Sequence, residues 1–107
     1  MTKARRRGSA FEREFCDWLT TVGWPDAERR VMGGTLDRGD VAGVRGWTLE
    51  LKATRYADLG PAMREAKKES ENAGTTKYAL VKKWANHGVD ESFVILPAWL
   101  WAEIVAD

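Results

Sequence analysis

A chain of 107 residues, 44% hydrophobic and 31% charged, has the size and balance of one globular domain built on a single core. Its apolar runs are too short to cross a bilayer and its basic start lacks an apolar signal core, so the expected setting is the cytoplasm, or a host cytoplasm for a viral chain. A lone cysteine, Cys16, excludes an internal disulfide, a lone histidine, His87, argues against a Cys/His zinc site, and the net charge of +1 gives no overall basicity.

That charge is unevenly placed. Lys3, Arg5, Arg6 and Arg7 precede the first apolar periodicity and leave the remainder at −3, so residues 1–8 read as a basic arm able to lie along a phosphate backbone, or as a solvated terminus. The first helix is predicted to begin at Ser9, since Ser9 and Glu12 have the spacing of a capping box. Phe11, Phe15, Trp18, Leu19 and Val22 form its apolar stripe, and Gly23 ends it before Trp24-Pro25. Glu12 and Glu14 flank the stripe on opposite edges, and helical geometry does not choose between them. Arg29 and Arg30, with Lys82 and Lys83 further on, are candidate phosphate contacts, although each taken alone reads first as an ordinary surface charge.

Val41, Ala42 and Val44 suggest a strand, followed by a turn at Arg45-Gly46. In the next strand Trp47, Leu49, Leu51 and Ala53 alternate with Thr48, Glu50, Lys52 and Thr54, so Glu50 and Lys52 share the polar face. A two-residue loop would turn Asp40 away from Glu50; a three-residue loop of Val44, Arg45 and Gly46 pairs Gly43 with Trp47, Val41 with Leu49 and Asp40 with Glu50. The second register keeps both faces consistent and is the predicted one. Facing carboxylates repel unless a cation separates them. Asp40, Glu50 and the Leu51 backbone carbonyl are oxygen donors suited to Mg²⁺, with Mn²⁺ as a substitute, and Lys52 beside them suits phosphodiester hydrolysis. The bland alternative for Glu50 and Lys52 is a solvated face of an antiparallel strand.

Pro61 is placed to open a second helix, which runs to about Ala73 and closes at Gly74. Its charges, Arg64, Glu65, Lys67, Lys68, Glu69 and Glu71, suggest one wet side, with Met63 and Ala66 toward the sheet. Strands follow around Tyr78, Leu80, Val81 and Trp84 and from Phe93 to Leu96, and Pro97 opens a terminal helix through Trp99, Leu100 and Ile104. The predicted order is α-β-β-β-α-β-β-α. His87 falls in a solvent loop with no identifiable partner. Of the six tryptophans most are expected in the core, while Trp99 and Trp101, two apart on one helix, leave at least one exposed to suit a dimer interface.

Arg7-Gly8-Ser9-Ala10-Phe11-Glu12-Arg13-Glu14, then Leu19, Gly23-Trp24, Arg30, Gly39-Asp40-Val41 and Glu50-Leu51-Lys52 resemble in order the PD-(D/E)XK nucleases. Within them the chain is most similar to archaeal-type Holliday-junction resolvases. The resemblance implies a restriction-endonuclease-like α/β fold in three layers, a central mixed β-sheet flanked by helices. It implies Glu12, Asp40, Glu50 and Lys52 as the catalytic set, and a two-fold homodimer acting on DNA. Thr35 stands in the loop where many members carry serine, and the chain has no glutamine to match the one often found on the helix after the lysine. The expected activity is metal-dependent, structure-selective DNA cleavage at four-way junctions. Cleavage of flaps, replication intermediates or foreign duplex, and a non-catalytic nucleic-acid-binding module, are the alternatives.

Overall fold

Phe11, Phe15 and Leu19 recur every fourth residue and form the buried stripe of helix α1, Lys3–Thr21, in the computed structural model. The structure describes residues 3–30, 36–54 and 58–106, the side chains of residues 3–7 excepted. Val22 falls off the stripe and is half exposed, because the chain has already left the helix there: Val22 N–H and Trp24 N–H both turn back to Leu19 C=O. Gly23, at φ 123°, takes the conformation this reversal needs.

The helix does not begin at Ser9. Lys, Ala and Arg are strong helix formers, and they carry the helix upstream to Lys3, so residues 3–8 belong to it and no capping box forms. Ser9 and Glu12 turn instead toward Arg29: Arg29 Nε donates to Glu12 Oε2 at 3.1 Å, and Arg29 Nη2 lies 3.5 Å from Ser9 Oγ.

Strands β1 (Glu28–Arg29) and β2 (Val41–Ala42) make a minimal antiparallel sheet, with Glu28 opposite Ala42 and Arg29 opposite Val41. The three-residue hairpin register is not adopted. Trp47 N–H donates to Val44 C=O across Arg45-Gly46, which closes a two-residue turn with Gly46 at φ 85°. Further out, Asp40 N–H donates to Leu49 C=O. The two ends obey different registers because Gly43, at φ 88° and close against the Asp26 backbone, bends β2 toward β1.

The second sheet is mixed. Strand β3 (Trp47–Lys52) runs parallel to β4 (Lys77–Lys82), Glu50 opposite Leu80 and Lys52 opposite Lys82, and β4 runs antiparallel to β5 (Phe93–Ile95). The β3–β4 crossover is helix α2, Leu59–Ala73, so β3 lies in a βαβ unit and is not the half-wet strand of a hairpin. Both its faces are covered. Leu49 and Leu51, with Ala79 and Val81 of β4, pack against Phe11, Phe15 and Leu19 of α1. The other face meets α2, burying Thr48 and Glu50, and Thr48 Oγ1 lies 2.7 Å from Thr75 Oγ1.

Helix α2 starts two residues before Pro61, at Leu59; Pro61 sits in the first turn, where its missing N–H costs no helical bond. Gly74, at φ 73°, closes it, its N–H on Glu71 C=O. A short 3₁₀ turn, Val89–Glu91, precedes β5, and α3 (Ala98–Val105) follows Pro97 with Leu100 fully buried. Trp24, Trp84, Trp99 and Trp101 are exposed, so most tryptophans lie outside the core, contrary to the expectation from composition. The described residues form an α/β domain of three α-helices and two small sheets. Among the described residues no helix is long and apolar enough to cross a membrane.

Candidate metal centre

Parallel pairing with β4 uses alternate backbone groups of β3, and Lys83 N–H takes the Lys52 carbonyl. The groups of Leu49 and Leu51 therefore face the opposite edge, where Asp40 arrives from the start of β2. Asp40 Oδ2 accepts the Leu51 N–H at 2.7 Å, which holds its carboxylate beside that of Glu50. Two residues on, Lys52 Nζ lies 3.5 Å from Glu50 Oε1 and 3.3 Å from Glu65 Oε2. Asp40, Glu50 and Lys52 are thus gathered at the carboxyl end of a parallel strand, where open α/β sheets place their ligands.

Helix α2 adds what the sequence reading set on its wet side. Glu69 is 2% exposed and Glu50 6%, and Asp37, Glu50, Glu65 and Glu69 each offer a carboxylate oxygen within 4.8 Å of the others. These four residues could hold a metal ion. Asp37 is fixed from two sides: its Oδ1 accepts the Gly39 N–H at 2.9 Å, and its carbonyl accepts Asn72 Nδ2 of α2 at 2.8 Å. As carboxylates, Glu50 Oε2 and both oxygens of Glu69 are buried without a hydrogen-bond donor. Such groups are costly unless a proton or a cation reaches them.

The protonation equilibria respond accordingly. Burial, then the Glu50 charge, pushes Asp40 up to about 8, against the pull of the Leu51 N–H. Burial, then Glu69, pushes Glu50 up to about 9, with Lys52 opposing. Burial pushes Glu69 up to about 7, a hydrogen bond from Glu50 pulling the other way and the charges of Asp37, Asp40 and Glu65 adding to the rise. Burial disfavours the charge of Lys52, but Glu50 and Glu65 outweigh it and the net direction is up. The site retains protons into neutral pH, and a divalent ion would displace them.

The remaining candidates lie at graded distances. Glu12 faces inward, paired with Arg29, and its charge reaches Asp40; Glu14 is solvent-exposed. Arg29 is therefore already engaged. Arg30 gives its N–H to Asp40 C=O, while its Nε is buried without a partner beside a cavity of about 390 Å³ bounded by Val44, Arg45, Trp47 and Thr75. Lys82 and Lys83 follow Lys52 around the end of the sheet, with Lys82 Nζ donating to Thr54 C=O at 3.2 Å. Thr35 and the side chains of Lys3, Arg5, Arg6 and Arg7 lie outside the described residues. His87 is not partnerless: it stacks on Trp84 at 3.4 Å between centroids, and its Nδ1 lies 3.3 Å from Glu91 Oε2.

Glu69 was legible in principle. Ala62, Ala66, Glu69 and Ala73 follow a 4-3-4 spacing, which places the glutamate on the stripe that packs against the sheet. Comparison with protein-family models, with characterised proteins and with solved structures returns no match to this chain.

Proposed function

We propose that this chain is a metal-dependent DNA endonuclease, with Mg²⁺ as its ion and Mn²⁺ as a substitute, acting on four-way junctions. The observation that carries the reading is the pairing of half-buried Asp40 with buried Glu50 at the carboxyl end of β3, with Lys52 Nζ 3.5 Å from Glu50. A structural ion pair would not need a further carboxylate, Glu69, buried beside it without an outside donor. Asp40, Glu50 and the Leu51 carbonyl are oxygen donors of the kind a hard cation takes, with Asp40 held against the Leu51 N–H. When bound, the ion supplies Lewis-acid activation of water and neutralises phosphate charge.

The protein's own groups do the rest. Lys52, freed from Glu65, offers its ammonium to the negative charge that grows on the phosphate oxygens. Glu12, held by Arg29, orients the rim of the site, and Lys82 and Lys83 extend a positive edge along which a backbone can run. Resolving a junction takes two symmetric cuts, and a two-fold dimer supplies two sites. Trp99, Trp101 and Ile104 of α3 and Val94 of β5 are exposed apolar side chains that support such pairing.

The test is cleavage of end-labelled four-way junction, flap, linear duplex and single-stranded DNA, in Mg²⁺ or EDTA, with Glu50→Gln as control. Paired symmetric nicks on the junction alone, lost in EDTA and in the variant, are expected. Cutting of flap or duplex instead would replace the substrate, and tight binding without cleavage in Mg²⁺ or Mn²⁺ would overturn the enzymatic reading. Sedimentation at micromolar concentration tests the dimer, and a persistent monomer would count against the junction.

A further inference from the structure

Glu50 is approached from two directions. From the β2 side comes Asp40, tied to the Leu51 N–H. From the α2 side come Glu69, Glu65 and Asp37, whose carboxylate oxygens cluster with that of Glu50 within 4.8 Å, a group Asp40 does not join. One ion held by Asp40, Glu50 and the Leu51 carbonyl leaves that second group unanswered. Glu69 makes the point sharply: at 2% exposure, neither of its oxygens has a hydrogen-bond donor from outside the acidic cluster, and only a proton shared with Glu50 reaches it in the absence of a cation. Glu50 Oε2 is in the same condition. Desolvating a carboxylate this fully without a donor is among the least favourable arrangements a fold can hold, and a hard cation is the ligand that relieves it.

We infer that the cluster of Asp37, Glu50, Glu65 and Glu69 is a second divalent-cation site, that Glu50 bridges the two ions, and that Glu69 is a metal ligand. Charge points the same way. Among the described residues five carboxylates, Asp37, Asp40, Glu50, Glu65 and Glu69, gather around one ion-paired ammonium group, Lys52, with Lys68 lining the same cleft, an acidic surplus that more than one divalent ion is needed to cancel. Paired ions bridged by one carboxylate are a recurrent arrangement in phosphoryl chemistry, one ion beside the attacking and one beside the leaving oxygen. The inference rests on the metal-dependent reading above, but the ion count is measured without any nucleic acid.

The experiment is a Mn²⁺ titration of the full chain, counting free ion by its room-temperature EPR signal, for wild type, Glu69→Gln, Glu65→Gln and Asp40→Asn. Two ions per chain in wild type and one in Glu69→Gln and in Asp40→Asn are expected. Glu65→Gln, at a half-exposed position that tolerates the change, should weaken one ion tenfold or more and leave the other. If Glu69→Gln fails to melt cooperatively, Glu65→Gln carries the test alone, and an unchanged second ion there overturns the inference. A single ion in wild type, or two retained in Glu69→Gln, overturns it while leaving a one-ion nuclease standing. No ion at all would remove both readings.

Discussion

Converting Glu69 to Gln should make the metal-free protein more stable at alkaline pH and leave it unchanged in acid. Burial holds the Glu69 carboxyl at about 7, against 4.5 for an ordinary glutamate. Below pH 4.5 the group is protonated in both folded and unfolded chains, so its contribution is fully present there. As pH rises from 4.5 through about 7 the unfolded chain gives up the proton more readily, and that stability is lost. At 1.36 kcal/mol per unit the full loss is about 3 kcal/mol, an upper bound given the coupling with Glu50. Glutamine never ionises, and its amide can donate to the Glu50 carboxylate, so the variant escapes the loss. For a domain of this size each kcal/mol moves the midpoint by roughly 4 °C, which places the gain at roughly 4 to 12 °C at pH 8. The assay is thermal unfolding by circular dichroism in EDTA at half-unit steps from pH 4 to 8.5. Curves for the two proteins that run parallel across that range, or a variant less stable at pH 8, would refute a buried, donor-poor Glu69. Added Mn²⁺ should reverse the order, because the ion stabilises the wild-type site and has lost a ligand in the variant.

Asp40→Asn should abolish cleavage while preserving or tightening DNA binding, since a negative charge beside phosphate is gone; a gel-shift and nicking assay on the same junction checks both. Gly43→Ala should destabilise the fold by more than ~2 kcal/mol, because the residue sits at φ 88° and a new Cβ would fall 2.0 Å from the Asp26 carbonyl oxygen. Urea titration measures it. Leu100→Ala removes a fully buried side chain that anchors α3 and should cost about 2–5 kcal/mol in the same titration. Cys16 is buried with its thiol pushed up to about 11 by burial, then by Asp17, so a thiol reagent at pH 8 should label it only after denaturation.

The alternation at Trp47–Lys52 was readable because faces follow from period, whereas strand partners do not. Glu50 and Lys52 do share a face, yet that face lies beneath α2, and β3 pairs with β4 from beyond the helix. Hairpin logic looked to the nearest strand, and the local glycines allowed a different bend. Ser9 shows the converse: a correct capping pattern yields to a run of good helix formers upstream. Glu69 was hidden by its chemistry, since charged residues on helices usually face water, although its spacing from Ala62 and Ala66 put it on the packed stripe. Asp37 had no signal at all; it reaches the site through its hydrogen bonds to Gly39 and Asn72, which only the tertiary structure creates.

All five carboxylates of the site lie between residues 37 and 69, upstream of β4. During synthesis they emerge before the strand that keeps β3 and α2 in place, so the growing chain carries every acidic ligand with no scaffold to gather them. Pairing of β3 with β4 requires the whole crossover to close, a non-local step that sets a slow entry to the native state. The acidic cluster and the β3–β4 pairing are therefore completed in the same event, and a cation that bound only the finished cluster would act as a latch on that pairing.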